Sequence, residues 1–232
     1  MSKKIKFLII LIITLVIIGL IFGISTIVRF SKLQSIWSRV NENIEKENYY
    51  METIIVNKGV TTKTQTYYKD GIGKFVSQNG TYIWFDGKNA YSVNEAEKTM
   101  NMLNPEEEIG VVYKESFATL YPGFSYNLFD KIMFAGNLSN VIKTQYYNGQ
   151  KCIMIEIKED MYTKTYWITD DFKNLVQAKI SFTNGDVYEY KYDIKFHTTK
   201  LSDIELPNVS EYVIVDNVSG NKIENIGKDQ NK

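Results

Sequence analysis

The apolar positions of this chain change their spacing twice. Phe7 to Val28 (FLIILIITLVIIGLIFGISTIV) is an apolar run without a single charge. As a helix it is long enough to cross a hydrocarbon core of about 30 Å. From Ser31 to Asn48 the spacing is amphipathic. Leu33, Ile36, Trp37, Val40 and Ile44 fall on one stripe, and Arg39, Glu42, Glu45, Lys46 and Glu47 take the rest. That pattern predicts a helix packing its stripe on the domain that follows, with a plain continuation of the membrane helix as the alternative. After Tyr49 the period becomes two. Lys58-Gly59 separates Tyr50–Asn57 from Val60–Lys69, Asp70-Gly71 leads into Ile72–Ser77, Asn79-Gly80 into Thr81–Phe85, and Asp86-Gly87 precedes Ala90–Val93. Asn-Gly and Asp-Gly favour tight hairpins because type I′ turns need positive φ at both central residues. Repeated closures predict an antiparallel meander.

The middle of the chain reads differently. Pro105-Glu106-Glu107-Glu108 has the acids of a helix start. Two short helices are predicted at Glu106–Leu120 and Ser125–Phe134, broken by Pro122-Gly123. Their apolar residues (Phe117, Leu120, Phe124, Leu128, Phe129, Ile132, Met133, Phe134) are too many for a solvated surface and place both helices on the sheet. Strands resume at Val141–Tyr147, Gln150–Ile157, Thr163–Ile168, Leu175–Phe182 and Val187–Phe196, with turns at Asn148-Gly149, Thr169–Asn174 and Asn184-Gly185. Val176, Ala178, Ile180 and Phe182 alternate with Gln177, Lys179 and Ser181, and Tyr188, Tyr190, Tyr192, Ile194 and Phe196 alternate with Glu189, Lys191, Asp193 and Lys195, as in a sheet with one covered side. A last strand is predicted at Glu211–Asp216. The expected fold is mostly β, α+β: one large curved antiparallel sheet with helices on one face, preceded by a transmembrane helix. The divisions are an anchor at 1–30, a domain at 31–218, and a polar, disordered tail at 219–232.

The apolar run is longer than a signal-peptide core and carries no clear small-x-small cleavage site, although Gly23, Ser25 and Thr26 lie within it. This favours an uncleaved signal anchor over a cleaved signal. Lys3, Lys4 and Lys6 precede the run and Arg29 and Lys32 follow it, so the positive-inside rule only slightly favours an inside N-terminus. The short N-terminal tail adds to it. The domain is then extracytoplasmic and the protein single-pass in the cell membrane.

Composition narrows the function. With 27 Lys+Arg against 27 Asp+Glu there is no basic excess for nucleic acid. Tyr (17) and Phe (12) support strands. The lone Cys152 makes no intramolecular disulfide, reads as a small buried hydrophobe, and lies far from the site of a diacylglyceryl anchor. A zinc site needs more ligands than His197 and Cys152 supply, and His197 would be the sole imidazole base for a nucleophile. Paired carboxylates at Glu106–Glu108, Glu159/Asp160 and Asp170/Asp171 sit at predicted helix starts or turns, where capping and solvation account for them. No phosphate-binding motif occurs. The sequence points to a non-enzymatic protein without cofactor or metal. The sequons at Asn79, Asn137, Asn208 and Asn217 matter only in a host that glycosylates secreted chains.

Three stretches carry a resemblance: GTYIWFDGKNAYSVNEAEKT (Gly80 to Thr99), YWITDDFKNLVQAKISFTNGDVYEYKYDIKF (Tyr166 to Phe196) and LSDIELP (Leu201 to Pro207). Together with the order of elements over Leu33 to Val218, they resemble LolA-type lipoprotein carriers and their relatives. The resemblance implies an unclosed β-barrel whose concave side is plugged by helices. Unlike the soluble carriers, or relatives with a lipid-modified Cys, this chain keeps an apolar span, so the resemblance extends to a lipid surface but not to diffusive shuttling. Its abundance of Ile, Lys, Asn and Tyr is typical of AT-rich genomes, including spore-forming Gram-positive bacteria.

Two functions follow from the resemblance. One is binding of lipid or lipoprotein acyl chains on the concave apolar face, with Trp37, Trp84, Ile153, Ile155, Ile180, Phe182, Tyr190, Tyr192 and Phe196 as contacting residues. The alternative is a cell-envelope scaffold for a protein partner such as a cell-wall-processing enzyme, with an edge strand as template.

Overall fold

The computed structural model describes residues 3–45, 48–103, 120–169, 175–205 and 208–216. Residues 106–119 of the expected helix at 106–120, with Phe117, the carboxylates at 106–108 and 170–171, Asn217 and the tail at 219–232 lie outside them, whereas Leu120 is in a turn and packs against the core.

Helix α1 runs from Lys3 to Glu45 without a break, so the membrane-type run and the amphipathic stripe are one rod, about 65 Å long at 1.5 Å per residue. Both readings of the stripe hold at once: the helix is a continuous extension of the apolar run, and its stripe packs on the domain. The domain boundary expected at residue 30 thus falls inside a helix.

Among the described residues, strands β1 (Asn48–Asn57), β2 (Val60–Lys69), β3 (Ile72–Val76), β4 (Tyr82–Phe85), β5 (Ala90–Asn94) and β6 (Thr99–Leu103) form the first meander. Helix α2 (Leu128–Gly136) follows, and then β7 (Val141–Tyr147), β8 (Gln150–Lys158), β9 (Tyr162–Thr169), β10 (Leu175–Phe182), β11 (Val187–Phe196) and β12 (Val213–Asp216). All belong to one 12-stranded unclosed sheet in the order β12-β6-β5-β4-β3-β2-β1-β11-β10-β9-β8-β7. The two meanders join through β1 and β11, which pair antiparallel from Tyr49 opposite Phe196 to Asn57 opposite Tyr188. Thr199 clamps this joint. Its N–H donates to Asn48 Oδ1 at 3.0 Å, and its hydroxyl to the Tyr49 carbonyl at 2.7 Å. The sheet is antiparallel except that β12 lies parallel to β6.

Turn chemistry explains the strand count. Lys58-Gly59, Asp70-Gly71 and Asn148-Gly149 have positive φ at both central residues, as type I′ turns require. At Asn79-Gly80, Asp86-Gly87 and Asn184-Gly185 only the glycine does. At the last of these the Gly185 N–H donates to the Phe182 carbonyl and the Phe182 N–H to the Asp186 carbonyl, the pattern of a type I turn closed by a left-handed glycine. The turn signals predict no strand at β6, because its turn contains no glycine. Lys98 takes φ 49° instead, and the Asn94 side chain accepts from the Ala96 and Glu97 N–H groups. Gly59 offers a direct test of such turns. Its φ is 79° and nothing would meet an added Cβ within 4 Å. Gly59→Ala should therefore cost about 1–2 kcal/mol through backbone conformation alone. An unchanged urea midpoint would show that this hairpin adopts another turn.

Cross-strand register assigns the faces, since directly opposed residues point the same way. Tyr49 opposes Tyr68 and Phe196, Ala178 opposes Tyr190, and Ile155 opposes Tyr166 and Ile142. The C-terminal half of α1 lies on this inner face. Leu33, Ile36, Trp37 and Val40 pack with Tyr49, Tyr68, Ile153, Ile155, Ile168, Leu175 and Ile194, joined by Tyr121, Phe134 and Ala135. A second core occupies the opposite face of the first meander, where Tyr82, Trp84, Tyr91, Val93 and Met100 pack against Tyr212 and Ile214.

Candidate functional site

The inner face divides along the strands. At one end, α1 and α2 fill it. Trp37 is 3 % exposed, donates from Nε1 to the Pro122 carbonyl at 3.0 Å, and meets Phe30 edge-on at 6.0 Å between centroids. The Lys131 ammonium lies 4.8 Å from the centre of its ring. Ile153 and Ile155 are buried beneath it, and Tyr192 and Phe196 are half-buried against the same core.

At the other end lie Ile180, Phe182 and Tyr190, half-buried and outside that helix-packed core. The register sets them together as the alternation predicted, with Ala178 opposite Tyr190 and Ile180 opposite Tyr188. Tyr162 faces Phe182 from β9, and these rings meet edge-on at 5.8 Å between centroids. Phe182 meets Tyr188 at 5.9 Å. Lys164 shares this face, opposite Ile157 and Ile180, with its ammonium 4.9 Å from the Tyr162 ring centre. A cleft of about 390 Å³ lies beside Lys164, bordered by Tyr126 and Phe134 on the helix side and by Ile157, Lys158, Glu159, Lys164 and Tyr166 on the sheet side.

Three tyrosines of this face are held neutral to higher pH than usual. Burial, helped by Tyr162, pushes Tyr166 up to about 12. Burial also raises Tyr192 strongly, with Tyr190, Tyr166 and Tyr121 adding to it, and raises Tyr190 beside Tyr188. Among the described residues, the open end is an aromatic and aliphatic floor with Lys164 as the inner-facing lysine at its edge.

Several expectations require correction. Trp84 is not on this face. It opposes Lys74 and Tyr91, whereas its neighbour Phe85 opposes Gly73, which opposes Tyr68 of the inner face. Its Nε1 donates to the Ile204 carbonyl at 2.7 Å in the second core. Nor does α2 lay all its apolar residues on the sheet. Phe134 and Ala135 are buried, but Leu128 (66 %), Phe129 (68 %), Ile132 (43 %) and Met133 (58 %) are exposed. The helix is apolar on both sides, and apolar content alone could not say which side met the sheet. His197 sits in the left-handed region at the end of β11, exposed, with its N–H donating to the Asn48 carbonyl. Asn137 is the C-cap of α2, and its side chain accepts from the Ser139 N–H.

An unclosed sheet whose inner face holds α1 and α2 is the architecture that the resemblance implied. The fold is LolA-like. It also superimposes on solved structures. An uncharacterized conserved protein from Thermus thermophilus matches with a TM-score of 0.50 at 8 % identity over 79 % of this chain and 98 % of that one. Pseudomonas aeruginosa MucB, in the MucA/MucB complex structure, gives 0.46 at 8 % identity over 75 % and 61 %. A LolA superfamily protein from Nitrosomonas europaea gives 0.31 at 9 % identity over 75 % and 98 %. At such identities the likeness concerns fold alone. No family model and no curated protein sequence matches the chain.

Proposed function

We propose that this protein is a non-enzymatic, membrane-anchored and extracytoplasmic lipid-binding protein. It holds an acyl chain, of a lipid or a lipoprotein, on the open end of its inner face. The observation that carries the reading is the half-buried floor of Tyr162, Ile180, Phe182, Tyr188 and Tyr190 outside the helix-packed core. Such surfaces suit ligands that are mostly apolar and need few polar groups, and Lys164 supplies one cation for an anionic headgroup. Ten buried methylenes would contribute roughly 8 kcal/mol before ordering costs.

The apolar part of α1 supports the anchor. It is uncharged from Phe7 to Val28, and its apolar side chains are exposed throughout. The mature chain should retain this segment, and a reporter fused after Lys232 should be active only outside the cytoplasm. Activity inside would overturn the extracytoplasmic assignment.

Phe182→Asp and Tyr190→Asp are the sharper tests of lipid binding, because Ile155 is 0 % exposed and a charge there would disrupt the core itself. Wild-type protein from its native membrane should yield extractable lipid beyond that of a detergent-matched control chain. Either variant should reduce it to the control level while keeping wild-type circular dichroism. Wild-type protein that repeatedly yields none would exclude the lipid reading. A scaffold reading would then take its place, favoured by the outermost strand β7, whose outer edge pairs with no described strand and whose Tyr146 is 74 % exposed. There a partner strand, from a protein such as a cell-wall-processing enzyme, would add by β-augmentation.

A further inference from the structure

The exposed side of α2 lies beside the end of the apolar run in α1. A Cβ added at Gly136, the last residue of α2, would stand 3.6 Å from the Thr26 side chain, and Thr26 belongs to the apolar run that ends at Val28. Arg29 fixes this junction by donating to the carbonyls of Asn137 at 2.8 Å and Asn140 at 2.6 Å. The C-terminal turn of α2 is thus held at the level of the last turn of the membrane-type helix. The same helix buries Phe134 and Ala135 and exposes Leu128, Phe129, Ile132 and Met133. An open cavity of about 820 Å³ separates the two helices, with Ile132, Met133 and Phe134 on one wall and Thr26 on the other. The exposed apolar residues Ile132 and Met133 thus share one open cavity with the end of the apolar run, a cavity that Asp130, Asn137 and Asn140 also line.

We propose that α2 is a membrane-interface helix. Leu128, Phe129, Ile132 and Met133 enter the boundary of the phospholipid bilayer next to the anchor. The occupant of this face is lipid because the face lies directly beside the end of a helix surface that the anchor reading already assigns to lipid. Interfacial helices bury an apolar side about 5–10 Å into the headgroup and acyl boundary. The Lys131 cation, which would otherwise oppose entry, is turned onto the Trp37 and Phe124 rings. The domain is then held at two points and sits on the membrane in one orientation. The inference rests on the anchor reading and is independent of lipid binding on the inner face.

The test uses the full chain in phosphatidylcholine/phosphatidylglycerol vesicles, with a nitroxide label on one introduced cysteine at a time. Phe129→Cys and Met133→Cys probe α2, Ile17→Cys the anchor, and Val60→Cys the remote β1–β2 turn. Cys152 is buried, and the unsubstituted chain serves as the blank. Labels at 129, 133 and 17 should collide more with oxygen, which partitions into lipid, than with a water-soluble nickel chelate, and the label at 60 should do the reverse. Water-like labels at 129 and 133 with a lipid-like label at 17 would overturn this inference and leave the anchor standing. Water-like labels at all three would overturn both. Labels at 129 and 133 shielded from both agents would mean that a protein surface covers α2, from a second copy or a partner, and would also overturn it.

Discussion

Trp37→Ala should destabilise the protein by about 3–5 kcal/mol, the usual cost of truncating a buried aromatic in a core that relaxes only partly. Trp37 joins three parts of the structure. Its stem belongs to α1, its ring lies among the inner-face residues of both meanders, and its Nε1 donates to the Pro122 carbonyl in the segment leading to α2. Gly123, at φ 73°, brings its backbone so close that an added Cβ would lie 3.1 Å from Trp37 Cζ2. Neighbours held this tightly cannot collapse readily into the space the ring leaves. Trp37→Phe should cost less, about 1–3 kcal/mol, mostly from the buried Pro122 carbonyl left without its donor. Denaturant titration of the full chain in detergent, followed by near-ultraviolet circular dichroism, measures both. A loss under about 0.5 kcal/mol for Trp37→Ala, the level of an ordinary surface change, would mean that α1 is only a stalk.

The stripe that predicts this insertion was legible because helical spacing is a local property. Of the stripe, Leu33, Ile36, Trp37 and Val40 are buried in the core, as their spacing required, and the Ile44 side chain lies outside the described residues. The same holds for β11 and for β10 from Gln177 onward, where period-two alternation fixes which side chains share a face. Before that, a bulge between Leu175 and Gln177 breaks the alternation and puts Leu175 in the inner core. Two things were not legible, each for a physical reason. The face to which a strand turns its aromatics depends on registers accumulated across the sheet. Trp84 and Phe85 are adjacent and equally aromatic, and only the chain of pairs through Gly73 and Tyr68 sends Trp84 to the far side. The parallel pairing of β12 with β6 is also nonlocal, since it sets Ile214 opposite Met100 across more than a hundred residues. For the candidate site, sequence brought Ile180, Phe182 and Tyr190 together correctly. It could not separate them from Ile153 and Ile155, because that division depends on where α1 and α2 end on the sheet.

Trp84→Ala should cost a similar amount, about 3–5 kcal/mol, by damaging a different core. Trp84 is 4 % exposed, lies against Tyr91 at 6.0 Å between ring centroids, and holds the Ile204 carbonyl at 2.7 Å. That bond links the aromatic strand β4 to the segment that leads the chain toward β12, and Tyr212 and Ile214 pack into the same cluster. Trp84→Phe should keep most of the packing and lose about 1–3 kcal/mol with the hydrogen bond. The double variant distinguishes this arrangement from a single continuous core. Trp37 and Trp84 lie on opposite faces of the sheet, in clusters that share no residue. Substitutions without shared partners add to within about 0.5 kcal/mol. The milder pair, Trp37→Phe with Trp84→Phe, should therefore show the sum of its single effects. A coupling above roughly 1 kcal/mol would mean that strain passes through the sheet and that the two faces are stabilised as one unit. Lipid retention offers a second separation. Trp84→Phe leaves the inner face untouched and should retain extractable lipid, whereas Phe182→Asp should lose it at nearly unchanged stability.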